Sequence, residues 1–142
     1  MKSIATASWT GGIKDGKGAL TAETGAFKDT PFTFAKRFEG AGGGTTPEEM
    51  IAAAHAGCYA MALSGALGGA GFPPQRISAR ATVTLDRVDG KPTVTSSHLE
   101  VSAKVPGLDA ARFAALAAET KSGCPISRLL KAEISLDAKL EA

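Results

Sequence analysis

The chain predicts an α+β fold with antiparallel sheets around one buried central helix. Three observations carry that prediction. Residues 77–88 alternate apolar and polar side chains with the period of a half-buried strand, and residues 93–105 alternate again after an Asp89-Gly90 turn. Between the N-terminal region and this pair lies a nearly all-apolar run, residues 50–70, long enough for a helix through the centre of a protein or an oligomer. Runs of strands separated by helices, without a regular βαβ repeat, place the chain in the α+β class.

Each element has its own signal. Residues 4–10 alternate weakly, and Gly-Gly-Ile-Lys-Asp-Gly-Lys-Gly at 11–18 supplies turn chemistry. A second short strand is expected near 19–24 and a third over 33–39, so the first third reads as a small antiparallel meander. Residues 41–45, Ala-Gly-Gly-Gly-Thr, are expected as a flexible connector. Thr46 suits the N-cap, Pro47 the first helical position, and Glu49 the third, where it would complete a capping box. The helix is expected over 47–67, dissolving in Gly68-Gly69-Ala70-Gly71 and stopped by Pro73-Pro74.

In 77–88, Ile77, Ala79, Ala81, Val83 and Leu85 share one face, opposite Arg80, Thr82, Thr84 and Asp86. In 93–105, Leu99, Val101, Ala103 and Val105 are expected inward. Asp109 caps a helix of 110–122 closed by Gly123. Cys124 and Pro125 open a short helix reaching Lys131. Residues 132–140 form a final strand with Ile134, Leu136, Ala138 and Leu140 inward.

A length of 142 residues fits one domain, 1–142, able to bury one core. The formal charge of +2 comes from scattered Lys and Arg with no basic run, which excludes nucleic acid as the expected partner. Over 50–70 the chain carries eight Ala and four Gly, residues that add little insertion free energy, so no membrane span is expected. The first residues lack the apolar core of a signal peptide, so the expected address is cytoplasmic. Lasting structural disulfides are rare there, which leaves the two cysteines as free thiols, metal ligands or a cycling redox pair.

Those cysteines are the chemistry-bearing residues. Cys58 lies three residues after His55, so the two share a helix face, where an imidazole can raise the thiolate fraction. The alternative is a packed thiol beside a hydrogen-bonded buried histidine. Cys124 stands at the start of a short helix, where free N–H groups favour an anion. Local electrostatics therefore makes Cys124 the more acidic thiol and leaves open which cysteine attacks first. Arg37 and Glu48 read as a surface charge and a helix-start acid until something links them.

A resemblance supplies that link. Thr-Pro-Glu-Glu-Met-Ile-Ala-Ala-Ala-His-Ala-Gly-Cys-Tyr-Ala-Met-Ala-Leu-Ser at 46–64 resembles the central-helix motif of the OsmC/Ohr family of thiol peroxidases. Gly-Cys-Pro-Ile-Ser-Arg-Leu-Leu at 123–130 is similar to its second cysteine motif, and Lys-Arg-Phe-Glu-Gly at 36–40 to its arginine-bearing segment. The resemblance covers essentially the whole chain. His55 and Met61 place it nearer the OsmC branch than the Ohr branch. Thr46 stands where the family often has Asn, and both are good N-caps.

The resemblance implies that Cys58 is the peroxidatic thiolate and Cys124 the resolving thiol. It further implies that Arg37 stabilises the thiolate and orients the peroxide, with Glu48 holding Arg37. It implies hydroperoxide substrates, a dithiol reductant such as a lipoylated protein, and no cofactor. Burial of Cys58 opposes its charge, so a cation beside it is physically needed.

Geometry adds that Glu48 and Cys58, ten residues apart on one helix, are separated by roughly 15 Å. If both belong to one site, either the helix breaks or Glu48 comes from a second chain. An all-round apolar helix also needs covering on every side, so an intertwined homodimer is expected, as the family implies. Two alternatives compete. The two Cys and two His match a zinc ligand count, though no Cys-x-x-Cys is present and His98 alternates outward. A non-enzymatic binding domain would use the same pocket with the cysteines as packing.

Overall fold

Three short strands open the chain: β1 (Ala5–Thr10), β2 (Lys17–Ala22) and β3 (Thr30–Phe32), paired antiparallel in the order β1-β2-β3. The computed structural model describes all 142 residues, which form two compact units, Met1–Met50 and Ile51–Ala142. β2 stops two residues before the expected Thr24 because the Gly25 N–H bonds back to the Ala22 carbonyl at 2.9 Å, with Gly25 at φ +76°.

The expected third strand over 33–39 is not formed. β3 ends at Phe32, and Ala35–Glu39 makes one π-helical turn. Thr33 drives the change, its hydroxyl accepting the Lys36 N–H at 3.1 Å and its carbonyl the Arg37 N–H at 3.1 Å. Phe34 and Phe38 then meet on one side with ring centroids 4.8 Å apart. Nor is the segment 41–45 a loose connector. The Thr45 N–H bonds to the Pro31 carbonyl at 2.9 Å, and Gly44, at φ +97°, has no room for a side chain against that carbonyl.

Helix α1 runs from Pro47 to Gly69. Thr46 is its N-cap, its hydroxyl oxygen accepting the Glu49 N–H at 3.0 Å. The return arm differs from a capping box, since the Glu49 carboxylate accepts from the Thr45 hydroxyl at 2.5 Å. At the far end Gly71, at φ +88°, closes a Schellman motif: Phe72 N–H to Leu67 carbonyl at 2.9 Å and Gly71 N–H to Gly68 carbonyl at 3.0 Å.

By length and composition alone α1 is apolar enough to cross a membrane, but it contributes a stripe to a protein core. His55, Tyr59, Leu63 and Leu67, spaced by four, are fully buried, whereas Met61 is 79% exposed. Within one chain the expected central helix is therefore covered along that stripe.

In the second unit β4 (Arg76–Val88) and β5 (Lys91–Lys104) form an antiparallel hairpin through Asp89 and Gly90, both at positive φ, as a two-residue turn requires. Leu99, Val101, Ala103 and Val105 are buried as expected. Helix α2 (Ala110–Gly123) starts at Asp109, whose carboxylate accepts the Arg112 N–H at 2.9 Å. Helix α3 (Pro125–Leu129) ends two residues before the expected Lys131, because Leu130 turns extended. β6 (Glu133–Leu140) then pairs with β5 in parallel, an exception to the antiparallel expectation. The α2–α3 crossover returns the chain to the end of β5 from which a parallel partner must start.

Candidate active site

Cys58, on α1, and Cys124, between α2 and α3, meet within the core of the second unit. Their sulfurs are 3.0 Å apart in one hydrogen bond, and both are free thiols. A disulfide requires about 2.05 Å, so closure asks for a movement of about 1 Å. Cys58 is half-buried, whereas Cys124 is 1% exposed.

The two thiols differ in acidity. Burial pushes Cys58 up, and its hydrogen bond to Cys124 and the charge there push the same way; the Ile126 N–H offsets part of this. Burial works against a charge on Cys124 as well. There, however, the Ser127 N–H, the Cys58 thiol, the Ser127 hydroxyl and the Ile126 N–H together hold it below the ordinary thiol range. Cys124 is therefore the more acidic thiol of the two, the order that local electrostatics predicts.

His55 is fully buried, and both ring nitrogens are engaged. Nδ1 lies 2.7 Å from the Ser97 hydroxyl and Nε2 2.8 Å from that of Ser127. Burial lowers its pKa and keeps the ring neutral. It is thus the hydrogen-bonded buried histidine of the two readings, not a cation beside Cys58.

The first unit holds a second constellation. Arg37, in the π-helical turn, grips Glu48, in the first turn of α1: Nη2 to Oε1 is 2.6 Å, and Nε reaches Oε1 at 3.1 Å and Oε2 at 3.2 Å. Glu48 is 7% exposed, and the Arg37 guanidinium also lies 5.2 Å from the Phe38 ring centre. Arg37 borders a cleft of about 210 Å³ lined also by Thr33 and by the apolar side chains of Trp9, Ile13, Phe32, Phe34 and Phe38. Gly18 lets the Trp9 and Phe32 rings approach one another. It pairs with Trp9 on one side and Phe32 on the other, and any side chain there would strike the rings, which sit 5.4 Å apart.

Residues 40–139 match the family model described as OsmC-like protein. The chain belongs to the OsmC-like family. It is also 48% identical over 136 residues to the peroxiredoxin OsmC of Escherichia coli (strain K12), covering 96% of this chain and 94% of that one. This relative agrees with the OsmC-branch resemblance. Among solved structures, the organic hydroperoxide resistance protein OsmC from Legionella pneumophila superposes with a TM-score of 0.72 at 22% identity, covering 100% of this chain and 98% of that one. An OsmC-like protein from Mycoplasma pneumoniae gives 0.76 at 14% identity, covering 100% and 99%. The OsmC-like fold follows from both.

Of the four site residues expected in this OsmC-like protein, the fold joins Cys58 to Cys124 and Arg37 to Glu48. The family match includes Glu48, Cys58 and Cys124 and begins just after Arg37. Sequence reasoning missed Ser97 and Ser127, which hold His55 from β5 and α3, because nothing local marks a partner so far along the chain. It also missed the aromatic cleft, for which the spacing of Phe32, Phe34 and Phe38 around Arg37 was the available signal.

The zinc alternative finds no converging ligands. His98 is held by the Ser135 hydroxyl at 2.7 Å and Asp137 at 3.3 Å, His55 by its two serines, and no three His, Cys, Asp or Glu side chains are grouped to hold a metal.

Proposed function

We propose that this OsmC-like peroxidase reduces organic hydroperoxides at Cys58 and uses Cys124 as the resolving thiol. The observation that carries this reading is the 3.0 Å thiol pair with unequal exposure. A peroxide reaches the half-buried Cys58, and the buried Cys124 waits within one short movement of the product.

The steps follow from cysteine chemistry. The Cys58 thiolate attacks the terminal peroxide oxygen, an S–O bond forms, the O–O bond breaks, and the alkoxide leaves as alcohol after taking a proton from solvent. Cys58 is then a sulfenic acid. Cys124 attacks that sulfur, the S–O bond breaks, the oxygen departs as water, and the two sulfurs join. Overall two thiols and ROOH give a disulfide, ROH and water. An external dithiol, with a lipoylated protein as the proposed donor, reduces the disulfide by exchange. These steps require no cofactor, and the need for reduced thiols supports a cytoplasmic address.

Cys58 lacks a cation in its own surroundings, and its thiol is pushed up. Arg37, held by Glu48, is the proposed remedy. Because α1 is unbroken, Glu48 and Cys58 stay roughly 15 Å apart along it. We therefore place the Arg37–Glu48 pair of a second copy over Cys58, in an intertwined homodimer of single-domain chains. Exposed Met61 on α1 and exposed Ile4, Trp9 and Ile13 in the first unit provide apolar surface for that association. The cleft beside Arg37 would take the organic tail, which favours organic hydroperoxides over hydrogen peroxide.

The test is direct. Cumene hydroperoxide added to reduced protein is expected to remove the mass of two hydrogens per chain and to yield a Cys58–Cys124 disulfide on a non-reducing gel. Cys58→Ser should abolish peroxide consumption, and Cys124→Ser should let Cys58 over-oxidise. Full activity in Cys58→Ser would sink the reading.

A further inference from the structure

We infer that Ser135, His98 and Asp137 form a second reactive site, on the outer face of the β4–β5–β6 sheet, where Ser135 takes an acyl group from small activated esters or thioesters. The site shares no residue with the thiol pair and rests on nothing proposed for it.

Ser135 and Asp137 lie two residues apart on β6, so the period of a strand sends both side chains to one face. β5 runs parallel beside them with His98 directly opposite Ser135. Nδ1 of His98 lies 2.7 Å from the Ser135 hydroxyl, and Nε2 lies 3.3 Å from Asp137 Oδ2. One imidazole thus bridges a hydroxyl and a carboxylate.

Counting hydrogens gives the bonds their direction. A carboxylate only accepts, so the hydrogen of the neutral ring belongs on Nε2, facing Asp137. Nδ1 is then the acceptor, and the Ser135 hydroxyl donates to it. A nucleophilic serine needs this order, with a base on its proton and a third group orienting the base. Ser135 is exposed and the His98 side chain is 35% exposed, so an acyl donor can reach the oxygen.

A donor for the developing oxyanion is also at hand. The Glu141 N–H bonds to the Ala103 carbonyl of β5 at 2.8 Å. Along a parallel pair every second residue faces the neighbour, so the odd-numbered residues of β6 bond to β5. The N–H of Leu136, next to Ser135, therefore turns to the edge of β6 that has no strand beside it in this chain. A groove of about 410 Å³ shares Asp137 with the site, and its side chains are mostly polar, among them Ser78, Glu100, Ser102 and Lys139. That lining suits a short polar acyl group and not a fatty chain.

The step balances within these groups. The Ser135 oxygen attacks the acyl carbon, its proton passes to His98 Nδ1, and the bond to the leaving oxygen or sulfur breaks. The proton on Nδ1 leaves with the alcohol or thiol, and Ser135 is acylated. Water then attacks the acyl carbon by the same proton route, which frees the acid and restores the hydroxyl. Asp137 is a positioning residue, acting only through the ring.

The experiment uses the full chain carrying Cys58→Ser and Cys124→Ser, so that no thiol competes for the acyl group. With 4-nitrophenyl acetate, nitrophenolate should be released and one acetyl group should map to Ser135 by peptide mass spectrometry. His98→Gln should slow release about a hundredfold, and Ser135→Ala as much. Asp137→Ala should slow it about fivefold or less, since that carboxylate is 83% exposed. Acetyl groups on lysines alone, or an unchanged rate in His98→Gln, would overturn the assignment. Nitrogen NMR supplies a readout independent of turnover. The His98 hydrogen should sit on Nε2 and spread over both nitrogens in Asp137→Ala; a hydrogen on Nδ1 in the parent protein would overturn it equally.

Discussion

Arg37 holds Glu48 through two nitrogens, with Nη2 at 2.6 Å and Nε within 3.2 Å of both carboxylate oxygens. Such a grip fixes the plane of the guanidinium and so the direction in which its remaining N–H groups point. If that direction serves Cys58 of a second copy, two crippled chains should repair each other. Cys58→Ser alone should be inactive and Arg37→Ala nearly so. Refolded together in equal amounts, they should recover about a quarter of wild-type peroxide turnover, since half the dimers are mixed and each has one intact site. No recovery, or a monomer by light scattering, would sink the cross-chain arrangement.

The same pair should be felt in stability, and unequally. Arg37→Ala leaves a 7% exposed carboxylate without its partner, whereas Glu48→Gln leaves an arginine whose side chain is 36% exposed and can reach water. The expected cost is about 2 kcal/mol for Arg37→Ala and about 1 kcal/mol or less for Glu48→Gln, by urea denaturation. The reverse order would contradict the burial described for Glu48.

His55 sets a pH dependence with a definite sign. Its folded pKa is lowered by burial, so the unfolded chain takes up the proton first as pH falls. The stability is present above the unfolded value of about 6.5 and drains away as pH drops toward the lowered folded value, by up to about 1.4 kcal/mol per pH unit. Urea midpoints from about pH 7.5 to about pH 5 should fall in wild type and stay flatter in His55→Gln. Equal slopes in the two proteins would show that the ring is not held neutral.

Tyr59 is the only tyrosine in the chain, which makes its burial directly readable. Its hydroxyl donates to the Ala117 carbonyl at 3.0 Å, and burial followed by the charge on Cys124 pushes its pKa up to about 12. Tyrosinate absorbance should therefore stay silent through the ordinary range near pH 10. Tyr59→Phe is expected to cost about 1 kcal/mol. A titration midpoint near the ordinary value would mean that the α1–α2 contact is not formed.

Much of this was legible in the residues themselves. Thr46 before Pro47, Asp109 before α2 and Asp89-Gly90 between two alternating runs are local devices, and each acts where expected, whereas α1 runs two residues past the expected Leu67, through Gly69. The segment 33–39 misled because its phenylalanines satisfy two periods at once: Phe32 and Phe34 fit a strand, Phe34 and Phe38 a helical turn. The Thr33 hydrogen bonds decide for the turn. The direction of β6 was unreadable, since alternation states which face is buried and says nothing about parallel or antiparallel pairing. At the site, the motifs marked both cysteines. The serines that engage His55 lie 42 and 72 residues away from it, beyond any local pattern.

The parallel pairing of β5 and β6 makes the thiol pair a late event in the life of each molecule. Cys124 belongs to the crossover between these strands, and it reaches Cys58, 66 residues earlier, when the α2–α3 connection has folded back. Contacts of such long sequence separation form slowly, after hairpins like β4–β5. Until then the two thiols are not held beside one another. If the proposed 58–124 bond forms, its favoured geometry arrives together with the finished topology, and a pulse of peroxide during refolding would time it.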